Sequence, residues 1–161
     1  MKKKSALLAA ALWISNAHAV DGVSLEIGHD THQLNVVRAA LQWDGAGRWH
    51  DISHYWELSF GGWHGDHGPV YDLGLTPVFR YETEHAAYLE GAIGFHVLSD
   101  LDVGTGAELS TRFQFGDHLG VGTRVGKYDW GVRLQHLSNG GLRNPNPGLN
   151  FLLLRLQVRL D

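Results

Sequence analysis

Cysteine is absent from this chain of 161 residues, and so is any long apolar run after residue 19. Without cysteine, a disulfide framework and any chemistry that needs a thiolate are excluded. A membrane-spanning helix requires about 18 or more consecutive apolar residues, and no segment after residue 19 supplies them. Apolar residues also fail to recur at the 3.6-residue period of an amphipathic helix. The sequence therefore predicts a fold made of strands.

The first 19 residues have the pattern of a secretory signal peptide. Three lysines form a basic start, Ser5–Ile14 is short and apolar, and Ala17-His18-Ala19 is a small-x-small cleavage site. We expect the mature protein to begin at Val20 and to form one domain over residues 20–161. Loss of the three lysines leaves 10 basic residues against 17 acidic ones, a formal charge of −7, which disfavours a nucleic-acid partner.

Apolar and polar residues alternate over segments of about ten residues, separated by turns rich in glycine, aspartate and asparagine. Alternation in short repeated segments is typical of transmembrane β-barrels. We therefore predict an all-β fold, an eight-stranded antiparallel up-and-down transmembrane β-barrel. The predicted strands are Val23–Gly28, Leu34–Trp43, Trp49–Gly61, Val70–Tyr81, Ala86–Val97, Ala107–Val125, Asp129–Ser138 and Leu149–Leu160.

Charged residues in these segments share one face, and aliphatic residues share the other. The last segment shows this as two interleaved sets: Leu152, Leu154, Leu156, Val158 and Leu160 against Arg155, Gln157 and Arg159. A water-facing exterior would not carry such a stripe while charges point inward, so a soluble β-sandwich or lipocalin-like barrel is the less favoured alternative. The pattern breaks at Pro77 and at Gly116-Asp117, and we expect a β-bulge at each place.

The stretch Trp130–Asn150 contains the strongest candidates for chemistry. Strand alternation places His136 and Ser138 on one face, about 6.6–6.8 Å apart along the backbone. That spacing lets an imidazole reach a serine hydroxyl, as a general base must reach its nucleophile. The following loop, Asn139–Gly148, is rich in residues that can aim N–H donors at one point. A structural explanation also exists, in which the histidine bonds loop carbonyls and the serine begins a turn.

Residues His136 to Gly148 follow the pattern H-x-S-N-x-G-L-x-x-P-N-x-G. This long motif resembles the signature of the outer-membrane lipid A 3-O-deacylases, the PagL family. The resemblance implies that Ser138 is the nucleophile and that His136 is its general base. The orienting glutamate of the family falls at Asn150, where this sequence departs from the pattern.

The same resemblance implies two oxyanion donors, the backbone N–H of Gly141 and the side chain of Asn146. It implies an esterase that removes an ester-linked (3-O) acyl chain from lipid A of lipopolysaccharide, with neither a metal nor another cofactor. The protein would then reside in the outer membrane of a Gram-negative bacterium, with lipopolysaccharide as its substrate.

An even number of strands places both termini on the periplasmic side of the membrane. The loop Asn139–Gly148 is then extracellular, and strand parity points the histidine, the serine and Asn150 toward lipid near the outer leaflet. Three connections are predicted to be periplasmic turns: Asp44–Arg48, Glu82–His85 and Gly126–Tyr128.

Two histidine clusters, His29-Asp30-Thr31-His32 and His64-Gly65-Asp66-His67, fall in predicted outer loops. Neither provides a spaced set of three or four ligands, so we predict no metal site. Solvated loops or loops that contact lipid headgroups are favoured, and weak divalent binding is the less favoured alternative. Gly104-Thr105-Gly106 is not followed by a predicted helix, so it is not expected to bind phosphate.

Two other functions remain open from the sequence. An eight-stranded barrel filled by its own side chains can be non-catalytic. A second lipid can also intercept an acyl-enzyme, which would make the protein an acyltransferase. The sequence further leaves open which acyl position and chain length are cleaved, and whether two barrels pair as a homodimer.

Overall fold

The computed structural model describes residues 19–31, 34–104, 106 and 108–160. The predicted signal peptide therefore lies outside the described residues, apart from Ala19. Eight strands follow one another along the chain: β1 (Gly22–Asp30), β2 (Asn35–Asp44), β3 (Ile52–Gly65), β4 (Gly68–Glu82), β5 (Ala87–Leu98), β6 (Phe113–Val125), β7 (Tyr128–Ser138) and β8 (Leu149–Arg159). The described residues contain no helix that is long and apolar enough to cross a membrane.

Each strand pairs antiparallel with the next, and β1 pairs with β8. The sheet therefore closes on itself, which confirms the predicted eight-stranded up-and-down barrel. Short connections join the strands at the end that carries both termini. At the opposite end, which we call the loop end, two longer connections span residues 99–112 and 139–148.

Two predicted strand starts are wrong. Trp49 lies in a turn, where it forms an isolated bridge with Ile52, so β3 begins three residues later than predicted. β6 begins at Phe113 and not at Ala107, a residue outside the described ones. Leu109, an apolar residue inside the predicted strand, belongs instead to the 99–112 loop and packs into the loop end of the lumen.

Both predicted bulges are also wrong. On either side of Pro77, the pairs Leu75↔Phe95 and Val78↔Ala92 keep the same register, so no extra residue enters the strand. The ladder between β5 and β6 runs unbroken through Ile93↔Asp117. Asp117 lies on the exposed outer face of the barrel. The acid therefore interrupts the apolar pattern without interrupting the pairing.

Side chains divide between lumen and exterior as the alternation predicted. The exterior carries exposed aliphatic and aromatic residues on every strand, including Leu152 and Leu154 of β8. The lumen buries charged and amide side chains: Glu26, Arg38, Gln42, Glu57, Asp72, Arg80, Glu90, Gln114, Asp129, Arg133, Gln135, Arg155 and Gln157. An apolar exterior over a charged interior is the arrangement of a barrel that faces lipid.

Arg133 lies at the centre of the buried ion pairs. Its guanidinium donates to Glu26 at 2.6 Å, to Glu57 at 2.8 Å and to Glu90 at 2.6 Å. It also donates to the Tyr55 hydroxyl at 2.9 Å. These contacts join β1, β3, β5 and β7 across the lumen, so one cation braces four strands of the barrel.

An apolar cluster fills the lumen at the loop end. Its buried members are Val36, Trp63, Val70, Leu98, Val103, Leu109, Leu137, Leu149, Phe151 and Leu153. The indole N–H of Trp63 donates to the carbonyl oxygen of Val103 at 2.9 Å, which ties the 99–112 loop to this cluster. Leu137 and Leu149 point into the cluster, so the residues beside them on β7 and β8 are held with their side chains outward.

We predict that Arg133→Leu lowers the free energy of unfolding by about 3–5 kcal/mol, because it leaves buried carboxylates without their shared cation. The measurement is equilibrium unfolding in urea of the protein folded into lipid vesicles. Arg159→Leu is the matched control, since Arg159 is partly exposed and lies 3.5 Å from Asp44 at the rim. That change should cost less than about 1 kcal/mol. Equal losses for the two variants would contradict a central role for Arg133.

Candidate active site

The strand register places three polar side chains side by side on the outer wall near the loop end. Asp117 of β6 pairs with His136 of β7, and His136 pairs with Asn150 of β8. We call these three residues the polar row. Ser138 follows one step nearer to the loop end, opposite Phe115 of β6. The fold thus brings together the histidine, the serine and the asparagine that the sequence had singled out.

His136 and Asn150 are in direct contact, with 2.8 Å between Nδ1 and Oδ1. An amide oxygen can only accept a hydrogen bond, so the Nδ1–H of His136 is the donor. The lone pair of the imidazole then lies on Nε2. A histidine in this tautomer can accept a proton from a hydroxyl at Nε2.

Ser138 shares the outward face of β7 with His136 and is half-buried. Across the described residues its hydroxyl makes no hydrogen bond, so it is not yet paired with the imidazole. Catalytic hydrogen bonds are commonly longer before substrate binds and shorten in the complex. The hydroxyl is therefore placed near its predicted base and is free to turn toward it.

Asn139, which is fully buried, organises the loop that follows β7. Its side-chain amide donates to the Ser110 hydroxyl at 2.9 Å and to the carbonyl oxygen of Arg143 at 2.7 Å. Its Oδ1 accepts the N–H of Gly141 at 2.9 Å. One side chain thus fixes the 139–148 loop internally and links it to the 99–112 loop.

The two predicted oxyanion donors lie in this loop with different hydrogen bonds. The Gly141 N–H is engaged by Asn139, so it would have to share or release that bond to reach a substrate oxygen. Asn146 accepts the backbone N–H of Asn139 through its Oδ1 at 3.1 Å. This bond fixes the amide orientation and leaves the Nδ2 hydrogens of Asn146 without a partner in the described ranges.

Gly148 lets the loop approach the edge of the histidine ring. Its φ is +69°, a conformation that favours glycine. A Cβ at this position would lie 2.7 Å from the Cε1 atom of His136 and 3.2 Å from the carbonyl oxygen of Leu137. The absence of a side chain is therefore required for the observed position of the imidazole.

A groove of about 500 Å³ runs along the outer wall beside the polar row. Leu119, Leu134 and Leu152 line it on the side away from the loops, and all three are exposed on the barrel surface. The far side of the groove is lined by His29, which belongs to β1, and by Thr31, which directly follows β1. The groove is therefore apolar along its length and polar at the end nearest the loops.

The histidine clusters lie only partly in loops: His67 is in the connection between β3 and β4, as predicted. His29 belongs to β1 and His64 to β3, while His32 lies outside the described residues. His67 contacts Asp102 in the 99–112 loop, and this hydrogen bond raises the pKa of His67 above its ordinary value. Within residues 19–31, 34–104, 106 and 108–160, no group of three or more histidines and acids is arranged to hold a metal ion.

Comparison with known proteins places this geometry in a family. The family described as Lipid A 3-O-deacylase (PagL) matches residues 35–159. The Lipid A deacylase PagL of Bordetella bronchiseptica is 32% identical over 146 residues, which cover 83% of this chain and 80% of that protein. The chain belongs to the PagL family. The Lipid A deacylase PagL of Pseudomonas aeruginosa is also 32% identical, over 166 residues and 95% of each chain.

A solved PagL structure has the same fold. The crystal structure of the outer membrane enzyme PagL matches with a TM-score of 0.81 at 27% identity, over 86% of this chain and 99% of that one. The barrel described above is therefore that of a PagL enzyme, an outer-membrane hydrolase of the deacylase class. Its polar row and groove lie on the outer wall of that barrel.

We predict that Gly148→Ala lowers the kcat of PagL-type deacylation by about 100-fold. The added methyl group would overlap the imidazole of His136 and push it out of line with the serine. Fatty-acid release from lipid micelles measures the rate. Gly47→Ala is the matched control, since Gly47 also has a positive φ of 84° but its Cβ would meet no atom within 4 Å. If both variants keep full activity, contact between Gly148 and the ring does not position His136.

Proposed function

We propose that this chain hydrolyses the 3-O-linked acyl ester of lipid A in the outer leaflet of the outer membrane, with Ser138 as nucleophile and His136 as general base. The observation that carries this proposal is the contact between His136 and Asn150, made on the lipid-facing wall and not in the lumen. A general base held in its tautomer at the lipid surface suits a substrate that stays anchored in the membrane.

The reaction proceeds through an acyl-enzyme. Oγ of Ser138 attacks the ester carbonyl carbon while Nε2 of His136 takes the hydroxyl proton. The tetrahedral intermediate collapses, the C–O bond to the sugar breaks, and the alcohol oxygen receives the proton from His136. Water then attacks the acyl-serine with His136 again as base, which releases the fatty acid and restores Ser138.

The loop after β7 supplies donors for the carbonyl oxygen as it gains negative charge. Asn146 is the stronger candidate of the two proposed donors, because its Oδ1 is already bonded to Asn139 and its Nδ2 hydrogens remain available. The N–H of Gly141 becomes a second donor once it releases its hydrogen bond to the side chain of Asn139. Donors fixed before the reaction stabilise the transition state without reorganisation.

The groove accounts for the lipid part of the substrate. Its leucine-lined portion begins directly below the polar row, on the side that leads into the membrane. An acyl chain lying against Leu134 and Leu152 places its ester carbon beside His136 and Ser138. The polar end of the groove then receives the sugar to which the chain is attached.

We predict that Ser138→Ala and His136→Ala each abolish release of the fatty acid while the barrel still folds. Both residues lie outside the lumen and the apolar cluster, so neither change removes a packing contact of the core. Loss of one member of a catalytic triad lowers kcat by about 10⁴–10⁶ in other enzymes.

Mass spectrometry of lipid A from cells that express each variant tests this. Ser53→Ala and His85→Ala are the controls, since Ser53 bonds the carbonyl oxygen of Arg80 and His85 lies in a turn at the opposite end. The lipid products also separate hydrolysis from acyl transfer. Unaltered cleavage by Ser138→Ala, or transfer of the chain to a second lipid by the wild type, contradicts the proposed reaction.

Asn150 is proposed to orient His136 in place of a glutamate. Asn150→Ala should lower kcat about tenfold, because it removes one hydrogen bond worth about 1–1.5 kcal/mol to the alignment of the imidazole. Asn150→Glu should hold or raise kcat near neutral pH, since a carboxylate also stabilises the imidazolium. Steady-state rates with purified lipid A measure both effects. An unchanged rate for Asn150→Ala means that another residue, or none, orients the histidine.

A further inference from the structure

Asp117 is a carboxylate among the apolar outward side chains of its own strand, β6. The other outward residues of β6 near it are Phe113, Phe115, Leu119 and Val121, and Asp117 is exposed among them. Within the described part of the chain its carboxylate makes no hydrogen bond or ion pair. An ionisable residue among lipid-facing apolar side chains is rare and commonly has a function.

The position of Asp117 relative to His136 indicates what that function is. The two residues are directly paired across β6 and β7, and both line the groove. Side chains paired in this way have their Cβ atoms about 4.5–5.5 Å apart. A carboxylate at that distance attracts an imidazolium much more strongly than it attracts a neutral imidazole.

The other neighbours of His136 do not supply this charge. Asn150 on β8 is neutral and fixes only the tautomer, and Ser138 on β7 is the proposed nucleophile. His29 of β1 lies across the groove beyond β8. Asp30 also lines the groove but is buried, and its Oδ1 accepts the N–H of Leu34.

We propose that Asp117 is a positioning residue for the reaction, whose carboxylate stabilises the imidazolium that forms when His136 takes the Ser138 proton. The two functions of a triad acid are thereby divided between two flanks of the histidine. Asn150 orients the ring from β8, and Asp117 supplies the negative charge from β6. This inference rests on the proposed roles of Ser138 and His136.

The test compares kcat and KM of folded, purified variants on lipid A in detergent micelles. Asp117→Asn keeps the shape and removes the charge, so kcat should fall about 10- to 100-fold while KM stays within about twofold. Asp117→Leu matches the apolar neighbours, should fold at least as well, and should show the same loss. Asp117→Glu should keep kcat within about threefold. Asp100→Asn removes a carboxylate from the 99–112 loop and should leave kcat unchanged.

The most decisive test moves the carboxylate from β6 to β8, on the other side of His136. In the Asp117→Asn background, Asn150→Glu should restore kcat to within about threefold of wild type, far more than it changes kcat in the wild-type background. Such coupling between two residues that flank one histidine is what a double-mutant cycle detects. A purely structural role for Asp117 would not be rescued from β8.

Three results would overturn the inference. The first is an unchanged kcat in both Asp117→Asn and Asp117→Leu. The second is a rise in KM alone, which would make Asp117 a substrate contact. The third is a loss of kcat that Asn150→Glu does not rescue. Ser138→Ala is measured alongside. Activity in that variant would instead refute the proposed reaction, so the two failures are distinguishable.

Discussion

Inside a membrane, every backbone N–H and C=O of a strand must find its partner within the protein. The pairing of β1 with β8 meets this requirement, because it leaves no open edge in the sheet. The register between neighbouring strands decides which side chains become neighbours on the outer wall. The contact between His136 and Asn150 is therefore a consequence of the register between β7 and β8.

Side chains packed in the lumen fix the orientation of the strands that carry the polar row. Each outward residue of the polar row alternates with inward residues that are packed or ion-paired. Leu137 lies between His136 and Ser138 and is fully buried in the apolar cluster. Rotation of β7 that turned His136 or Ser138 toward the lumen would expel Leu137 from this cluster, so the strand is held in its orientation. A site built on strands is more rigid than one built on loops.

Alternation was enough to predict the barrel, the charged lumen and the shared face of His136 and Asn150, because period-2 patterns are local. The sequence predicts the first part of the 99–112 loop but assigns its last residues to a strand, since the buried Leu109 owes its burial to a cluster formed by distant strands. The sequence predicts a bulge at Asp117 because an acid interrupts the apolar stripe, yet its parity with Phe115 and Leu119 already places it outward. The role of Asn139 depends on Ser110 and Arg143, which no sequence spacing connects.

Depth in the membrane explains why chemistry can occur on this wall at all. A tilted strand needs about 9–11 residues to cross the hydrocarbon, and β7 has 11. His136 and Ser138 occupy its last positions, at the edge of such a span. The ester linkages of a lipid lie at the corresponding boundary, where acyl chains meet headgroups. Charge on the outer wall costs little near that boundary and more toward the midplane. The depth that would bring the ester to Ser138 in the proposed reaction also lowers the cost of the outward carboxylate of Asp117. One row further down, at Leu119, Leu134 and Leu152, the wall is entirely apolar.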